Sequence, residues 1–304
     1  MLSVVIITAL LFFLFPTAAH AWGPGMHVET AMRVLADLSF VLPAIAALIS
    51  KHPEDYIYGT TSPDIILGKK YAGLQFHCHN WEMGNLILSE ASSDRQRAAA
   101  YGYLTHLAMD VVAHNFFIPY KIVRSYKTRL LSHSYWEMRF DLDVPDRCWK
   151  HLGKISVHEI EEFDELLKRV LKKTLFSFST NKRIFNSILM LQKMRGMKET
   201  LRLYAKQSKW ELEQDNRRQY VDLTWDAVKD FLSRPDEALC LRADPAGIKR
   251  LDYAQNLRRE LKAMVKRGFI DEPQAEKLLH LVRSGLLAGL YDPDVVLPDV
   301  IDVM

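Results

Sequence analysis

The chain alternates between long stretches with helical periodicity and short breaks that contain polar residues, Pro or Gly. Apolar positions recur every three to four residues, as in helices that bury one face. Gly and Pro are few, with 13 and 12 in 304 residues, so they seldom interrupt the pattern. The segments with this pattern are 27–38, 42–49, 94–117, a segment containing 133–137, and a hairpin of 248–267 and 272–290. We therefore predict an all-α fold.

The central segment, residues 94–117, carries His106, Asp110 and His114 at intervals of four residues. On a helix these three side chains form one column along a single stripe. The residues between them are apolar, so the column is expected to be buried, and buried titratable groups need compensation. Either a metal ion or a hydrogen-bonded pair of core histidines with one Asp provides it. Pro119 is expected to end this helix.

The N-terminal segment, residues 2–15, is almost wholly apolar and is followed by small residues up to Ala21. Ala-His-Ala at 19–21 is typical of a signal-peptidase site, and the apolar run is short for a membrane span of about 20 residues. We predict a signal peptide over residues 1–21, cleaved after Ala21, and a secreted or periplasmic protein. An uncleaved anchor is the alternative, because no Lys or Arg precedes the apolar run.

Cleavage after Ala21 would make Trp22 the first residue of the mature protein. A free α-amine next to its own carbonyl oxygen can chelate a metal ion. The Gly-Pro-Gly that follows predicts a turn, and His27 then opens an amphipathic helix that extends to Leu38. The alternative is a tail with an exposed Trp and a surface His.

Three further positions carry candidate ligands. Asp64 follows a loop that contains Gly and Pro, and it is either an N-cap or a carboxylate directed into a site. Residues 77–79 are His-Cys-His, which suggests metal binding with one of the two His directed inward. His133 and Glu137 share a helix face, and their aromatic neighbours favour burial over an ordinary exposed pair.

In chain order, the residues suited to metal chemistry are Trp22, His27, Asp64, His79, His106, Asp110, His114, His133 and Glu137. This ordered set resembles the zinc-dependent phospholipase C family and the related zinc-dependent single-strand nucleases of fungi and plants. The resemblance covers about 22–140 and depends on the whole set. It implies a multi-helical bundle in which a cleaved N-terminal Trp and several side chains hold about three zinc ions. The resemblance does not cover the rest of the chain, for which the helical pattern predicts a C-terminal extension.

The resemblance also implies which residues bind each zinc ion. The first site would consist of Asp64, His79, His106 and Asp110. The second would consist of His114, His133 and Glu137. The third would consist of the Trp22 amine and carbonyl, His27 and again Asp110, which would bridge two ions. The family's interval after Asp64 favours His79, with His77 and Cys78 as fallback ligands. The interval from Asp110 to His114 is shorter than in the best-known members but keeps His114 on the same stripe.

The chemistry implied by the resemblance is phosphodiester hydrolysis. Two zinc ions roughly 3.5–4 Å apart would clamp the phosphoryl oxygens and bind a shared hydroxide, because zinc lowers the pKa of bound water to about 7. Asp64 would act as the catalytic residue that orients or deprotonates this water. The third zinc ion would stabilise the leaving oxygen.

The composition, with 49% hydrophobic and 25% charged residues, is that of a globular protein and excludes a disordered one. A net charge of +3 does not by itself imply nucleic-acid binding. The three cysteines show no metal-binding spacing and no disulfide framework, although one pair could form in an oxidising compartment.

One segment is strongly basic. Residues 168–218 contain fourteen Lys or Arg and four acidic residues, a net charge of +10, with Leu and aromatic residues interleaved. Such a segment can make peripheral contact with an anionic membrane surface. The alternative is a helix packed on the core with a solvated basic face.

We divide the chain into the signal peptide, a zinc-site helical domain at 22–155 and a helical extension at 156–304 of unassigned role, whose tail from 292 is expected to be loose. The predicted function is a secreted zinc-dependent phospholipase C that acts on phospholipids. The alternatives are a nuclease or nucleotidase with the same metals, which would bind nucleic acid, and a non-catalytic protein that keeps the metal cluster structurally. No protein partner is predicted.

Overall fold

The computed structural model describes residues 22–66, 78–128, 133–157, 161–171, 176–193, 199, 202–203 and 214–304. Helices are the only regular elements in these ranges, which confirms the predicted all-α fold. The α-helices are α1 (Pro24–Ala36), α2 (Pro43–Lys51), α3 (Pro53–Gly59), α4 (Trp81–Ser89), α5 (Asp94–Val112), α6 (Ile118–Arg124), α7 (His133–Asp141), α8 (Asp146–Val157), α9 (Glu161–Val170), α10 (Phe178–Lys193), α11 (Gln214–Ser233), α12 (Ile248–Arg267) and α13 (Glu272–Ala288). Short 3₁₀ helices lie at Ser62–Ile65, Leu239–Arg242 and Val300–Asp302.

Helix α5 is the centre of the fold, and every residue from Gly102 to Val112 is buried. Helices α2, α3, α4, α9 and α11 pack around it. The hydroxyl of Ser93 caps its start by accepting a hydrogen bond from the backbone N–H of Gln96. His106 and Asp110 of the predicted column therefore lie on the buried half of this helix, and His114 lies in the turn that follows it.

The sequence predicted that Pro119 would end the central helix, but the helical path continues through this residue. The chain passes through a π-helical turn at Ala113–Phe117 and continues as α6. The N–H of Ile118 donates to the carbonyl of Ala113, so this turn is one residue wider than an α-helical turn. Proline lacks an N–H and its ring crowds the preceding turn, and the wider turn accommodates both features.

Two glycines let α3 and α5 approach to backbone contact. A Cβ atom on Gly59 would lie 1.9 Å from the carbonyl oxygen of Ala99, and one on Gly102 would lie 2.1 Å from that of Tyr56. Only glycine fits at these two positions. The crossing brings Thr60, the residue after Gly59, alongside the central helix.

Helix α1 begins at Pro24, where the sequence predicted a turn. Proline is favoured at this position because the first helical N–H has no partner within the helix. The N–H groups of Gly25 and Met26 donate to the Asp141 carboxylate at 2.9 and 3.1 Å. Asp141 lies at the end of α7, so a side chain from another helix caps the start of α1.

Helices α12 and α13 form the predicted hairpin. Helix α12 ends at Gly268 with a φ of +76°, and α13 begins with a capping box between Asp271 and Gln274. Both helices pack on α6, while α11 packs on α5. Apolar residues of both halves of the chain form one core, and the domain boundary near residue 155 stays a prediction.

The C-terminal tail packs against this hairpin, although the sequence predicted that it would be loose. The hydroxyl of Tyr253 donates to the carbonyl of Pro298 at 2.5 Å, and the Arg250 guanidinium donates to the carbonyl of Asp292 at 2.5 Å. Val303 is buried. The tail makes these hydrogen bonds through backbone carbonyls. Since every residue has a carbonyl group, the sequence of side chains does not predict them.

The basic segment, residues 168–218, is described only in part. Its helix α10 buries Phe185 and Leu189 in the core, as in the alternative of a packed helix with a solvated basic face. Contact with a membrane surface stays a prediction. The predicted signal peptide and His77 lie outside the described residues.

The three cysteines are buried and each is a free thiol. Within the described ranges, no helix has both the length and the apolar character needed to span a membrane.

Candidate metal centre

Three histidines converge on the carboxylate of Asp110. The Nε2 atom of His106 lies 3.0 Å from Asp110 Oδ2, and that of His79 lies 3.3 Å from the same oxygen. The Nε2 atom of His27 lies 3.4 Å from Asp110 Oδ1. The side chains of His27, His106 and Asp110 are fully buried, and His79 is 1% exposed. Residues from α1, the start of α4 and α5 therefore meet at one point.

A second carboxylate borders this cluster. Asp64, in the 3₁₀ helix Ser62–Ile65, places its Oδ1 3.3 Å from His79 Nε2 and 4.0 Å from His106 Nε2. Of the two sequence interpretations, the structure supports the carboxylate directed into a site. The ring of His27 stacks on that of His106, with centroids 3.9 Å apart and planes 12° apart.

Within the described residues, two groups of three side chains could each hold a metal ion. One group is Asp64, His79 and His106, and the other is His27, His106 and Asp110. In each group the potential ligand atoms lie within 4.8 Å of one another. His106 belongs to both groups, so the two positions are adjacent. They correspond in part to the first and third sites implied by the resemblance.

The polar atoms of this cluster fit a metal better than they fit one another. Both ring nitrogens of His27 and both carboxylate oxygens of Asp110 are buried, and none has a hydrogen-bond partner of acceptable geometry among the described residues. Buried polar groups in native proteins are almost always hydrogen-bonded, and an exception calls for a bound ligand, water or ion as the partner. Imidazole nitrogens and carboxylate oxygens are ligands that suit zinc. The Cys78 thiol lies 3.4 Å from His79 Nδ1, the ring nitrogen that does not face Asp110.

The charges of the cluster are strongly coupled. Burial works to raise the pKa of Asp110, but the neighbouring His106 lowers it well below its usual value. Burial works to lower the pKa of His106, and the charges of Asp110 and Asp64 raise it overall. Burial and the nearby His106 lower the pKa of His27. These directions favour the ionised form of Asp110 and the neutral form of His27, which are the forms that bind a metal ion.

Backbone carbonyls orient two of the histidines. His106 Nδ1 donates to the carbonyl of Thr60 at 2.8 Å, and His114 Nδ1 donates to that of Pro245 at 2.6 Å. Metal-ligating histidines usually donate their second ring N–H to such an acceptor, which fixes the tautomer. Sequence reasoning missed both acceptors, because every residue has a carbonyl group.

The described residues include only part of the predicted second site. His114 is buried, and its ring centroid lies 6.4 Å from that of His79. Glu137 is buried in α7, and His133 begins α7 but its side chain lies outside the described residues. The groups of three found in the described chain include neither His114 nor Glu137. The second site therefore stays a prediction.

Trp22 is fully buried, so the alternative of an exposed N-terminal Trp is wrong. Its indole Nε1 donates to the carbonyl of Met109 at 3.0 Å, and its ring stacks on Phe117 with centroids 5.0 Å apart. Met109 directly precedes Asp110, so Trp22 is anchored beside the cluster. A ligand role for its amine stays a prediction.

Asp141 is a residue near the site that sequence reasoning missed. Its carboxylate holds the first turn of α1, only two residues before His27. A Cβ atom on Gly23 would lie 2.2 Å from Asp141 Oδ2, so the carboxylate also fills the space over this glycine. Its position one helical turn after Glu137 was the available sequence signal.

The family model described as zinc dependent phospholipase C matches residues 26–178, which is half of the chain. The match includes every predicted metal ligand except Trp22. No curated protein and no solved structure matches the chain.

Proposed function

Because the chain belongs to the zinc-dependent phospholipase C family, we propose that it hydrolyses the phosphodiester bond of phospholipids and releases a phosphorylated head group and diacylglycerol. The observation that carries this proposal is the buried convergence of three histidines on Asp110, with Asp64 next to two of them. Such a cluster is costly to bury unless a cation compensates it. The family match identifies that cation as zinc.

We propose about three zinc ions per chain, with Asp110 shared between two of them. The first ion would be held by Asp64, His79, His106 and Asp110; the second by His114, His133 and Glu137; and the third by Trp22, His27 and Asp110. When bound, zinc supplies a Lewis acid that activates water and stabilises charge on the phosphoryl oxygens.

The protein's own groups prepare the site for this chemistry. Asp64 is the proposed catalytic carboxylate, which would orient the attacking water or accept its proton; its Oδ1 faces His79. His106 keeps its Nε2 directed at Asp110, because its Nδ1 is held by the carbonyl of Thr60. The burial of these side chains excludes bulk water from the carboxylates and strengthens their interaction with charge.

We further propose that the protein is secreted or periplasmic and that its mature chain begins at Trp22. The Ala-His-Ala sequence before Trp22 supports cleavage at this point. Its buried indole, hydrogen-bonded to the residue before Asp110, supports a structural role for the new N-terminus. Mass spectrometry of the protein recovered from its native host would detect this start.

The test uses the mature protein purified without chelators. Its zinc content is measured, and it is assayed in parallel on phosphatidylcholine vesicles and on single-stranded DNA. We expect about three zinc ions, lipid cleavage and intact DNA. Asp110→Asn should lose two of the ions and the activity. Asp94→Asn, at the exposed start of the same helix, is the matched control and should keep the full zinc content and the activity.

Two outcomes would overturn the proposed substrate. Cleavage of single-stranded DNA with intact lipid would assign the nuclease alternative. Retained zinc with neither substrate cleaved would assign the non-catalytic alternative.

A further inference from the structure

Three consecutive carbonyls, outside the region matched by the family, accept hydrogen bonds from side chains of the first half of the chain. The bonds run from Trp81 Nε1 to Ala243 at 2.9 Å, from Asn115 Nδ2 to Asp244 at 2.8 Å and from His114 Nδ1 to Pro245 at 2.6 Å. We propose that residues 243–247, the carbonyl loop, position His114 for metal binding. This inference rests on the proposed function in so far as it takes His114 as a zinc ligand.

The hydrogen bond to Pro245 determines the tautomer of His114. A carbonyl oxygen can only accept, so the proton of a neutral His114 ring must lie on Nδ1. Nε2 then carries the lone pair, which is the form that a metal ion binds. The bond from His106 to Thr60 does the same for a residue of the two metal-binding groups. The two histidines of the column are therefore prepared in the same way.

The carbonyl loop is held rigidly in place. The Asp244 carboxylate accepts hydrogen bonds from the N–H groups of Ala246 and Ile248 at 2.9 and 3.0 Å, which ties the loop to the start of α12. Gly247 has a φ of +58°, in the left-handed region. A Cβ atom there would lie 2.4 Å from the carbonyl oxygen of His114 and 2.5 Å from its Cβ. The loop thus lies directly against the backbone of His114.

The π-helical turn connects this loop to the column. Asn115, within the turn, uses both hydrogens of its side-chain amide: one donates to Val111 at 2.9 Å and the other to Asp244 at 2.8 Å. The amide therefore joins the wide turn to the carbonyl next to Pro245. Turn and loop are therefore fixed to each other at His114 and at its neighbour Asn115, which limits the rotation of the His114 ring.

The experiment compares two glycines that both have positive φ. Gly247→Ala adds a methyl group against His114, whereas Gly268→Ala meets nothing within 4 Å and serves as the matched control. Histidine tautomers are measured by ¹H–¹⁵N NMR on the metal-free, full-length mature protein, with His114→Gln to assign the signal. Zinc content is measured separately.

In the wild type and in Gly268→Ala we expect the His114 proton on Nδ1, protected from exchange. In Gly247→Ala we expect this signal to be lost and the zinc content to fall by one ion, while the His106 signal is unchanged. Asn115→Ala leaves the backbone of the loop unstrained, and should weaken binding of one zinc ion about 10–100-fold. It keeps the test available if Gly247→Ala does not fold.

A wild-type His114 protonated on Nε2 would overturn the inference. So would full zinc content and an unchanged tautomer in Gly247→Ala together with an unchanged zinc affinity in Asn115→Ala, measured by competition with a chelator. The expected tautomers and zinc losses without any cleavage of lipid would support the inference and overturn only the proposed substrate, so the two failures are distinguishable.

Discussion

His106 lies on the central helix and His114, eight residues later, in the π-helical turn that follows it. Each donates its Nδ1 proton to a backbone carbonyl. The carbonyls come from opposite parts of the chain. Thr60 precedes His106 by 46 residues and lies within the region matched by the family, whereas Pro245 follows His114 by 131 residues and lies outside it. The candidate ligands are therefore concentrated in one half of the chain, while the groups that orient them come from both.

The two supports also differ in how they are held. Thr60 is brought to His106 by a close crossing of two helices that only glycine permits. Pro245 is brought to His114 by a loop whose position depends on hydrogen bonds. A helix crossing resists displacement through the packing of the whole core. A substitution at the crossing that positions Thr60 should therefore lower the free energy of unfolding more than one in the loop that positions Pro245.

The largest effect is expected at Asp110, the proposed ligand of two of the three ions. Asp110→Ala removes the carboxylate on which the histidines converge, and should lower phospholipid hydrolysis on the order of 10³-fold, as loss of a preorganised electrostatic group does. Vesicle assays and zinc analysis measure the loss. His114→Ala should release one zinc ion rather than two, and equal losses in both variants would contradict the shared role of Asp110.

The next largest effect is expected at the crossing of α3 and α5. Gly59→Ala places a Cβ atom 1.9 Å from the carbonyl oxygen of Ala99, so the helices must separate. We expect the free energy of unfolding to fall by about 3 kcal/mol, with loss of the contact between His106 and Thr60. Urea denaturation of the metal-free protein measures this. Gly268→Ala should cost no more than about 1 kcal/mol, and similar costs for both would mean that the crossing is loose.

A pH effect is expected at Asp141, which holds the start of α1. Burial raises the pKa of Asp141 to about 7, whereas the pKa of an Asp in an unfolded chain is about 3.9. Between these values the folded state binds more protons than the unfolded state. Stability should therefore fall as pH rises from about 4 to 7, by at most about 1.4 kcal/mol per pH unit.

Asp141→Asn removes this titration and should flatten the dependence. Urea denaturation of the metal-free protein at several pH values measures both slopes. Parallel slopes for the wild type and the variant would show that Asp141 does not titrate in this range.

The smallest effects are expected at two tryptophans whose indole N–H groups donate to backbone carbonyls, one beside Asp110 and one in the carbonyl loop. Trp22→Phe removes the bond to Met109, and Trp81→Phe removes the bond to Ala243. Each should lower the free energy of unfolding by about 1 kcal/mol, measured by urea denaturation. Zinc content should be unchanged in Trp22→Phe, because the predicted ligands of this residue are main-chain atoms. Loss of zinc would show that the indole itself positions the site.

The helices and the column were predictable from the sequence because they follow local periodicity. Apolar positions determine which face of a helix is buried, and the interval of four residues aligns His106 with Asp110. The inward direction of Asp64 and His79 was not decided by periodicity, since both lie outside long helices. The resemblance to a family favoured these two residues, and the structure places His79 beside Asp110 and Asp64 beside His79.

The supporting contacts were not predictable, for a physical reason. Backbone carbonyls at Thr60 and Pro245 act as acceptors through their position, and any residue type could supply them. The π-helical turn likewise depends on how the chain accommodates Pro119 within a buried helix. The tail was mistaken for a loose segment because its anchors, at Pro298 and Asp292, are also carbonyls.

The distance in sequence between His114 and Pro245 affects the order in which the centre is completed during biosynthesis. A chain is synthesised from its N-terminus, and its N-terminal part folds first. All the predicted ligands have been made by residue 137, but Pro245 emerges from the ribosome only much later. An ion that arrives early meets the cluster around Asp110 before the support of His114 exists. Metal loading of this protein is therefore expected to proceed in two stages, with the second set by the synthesis of the last quarter of the chain.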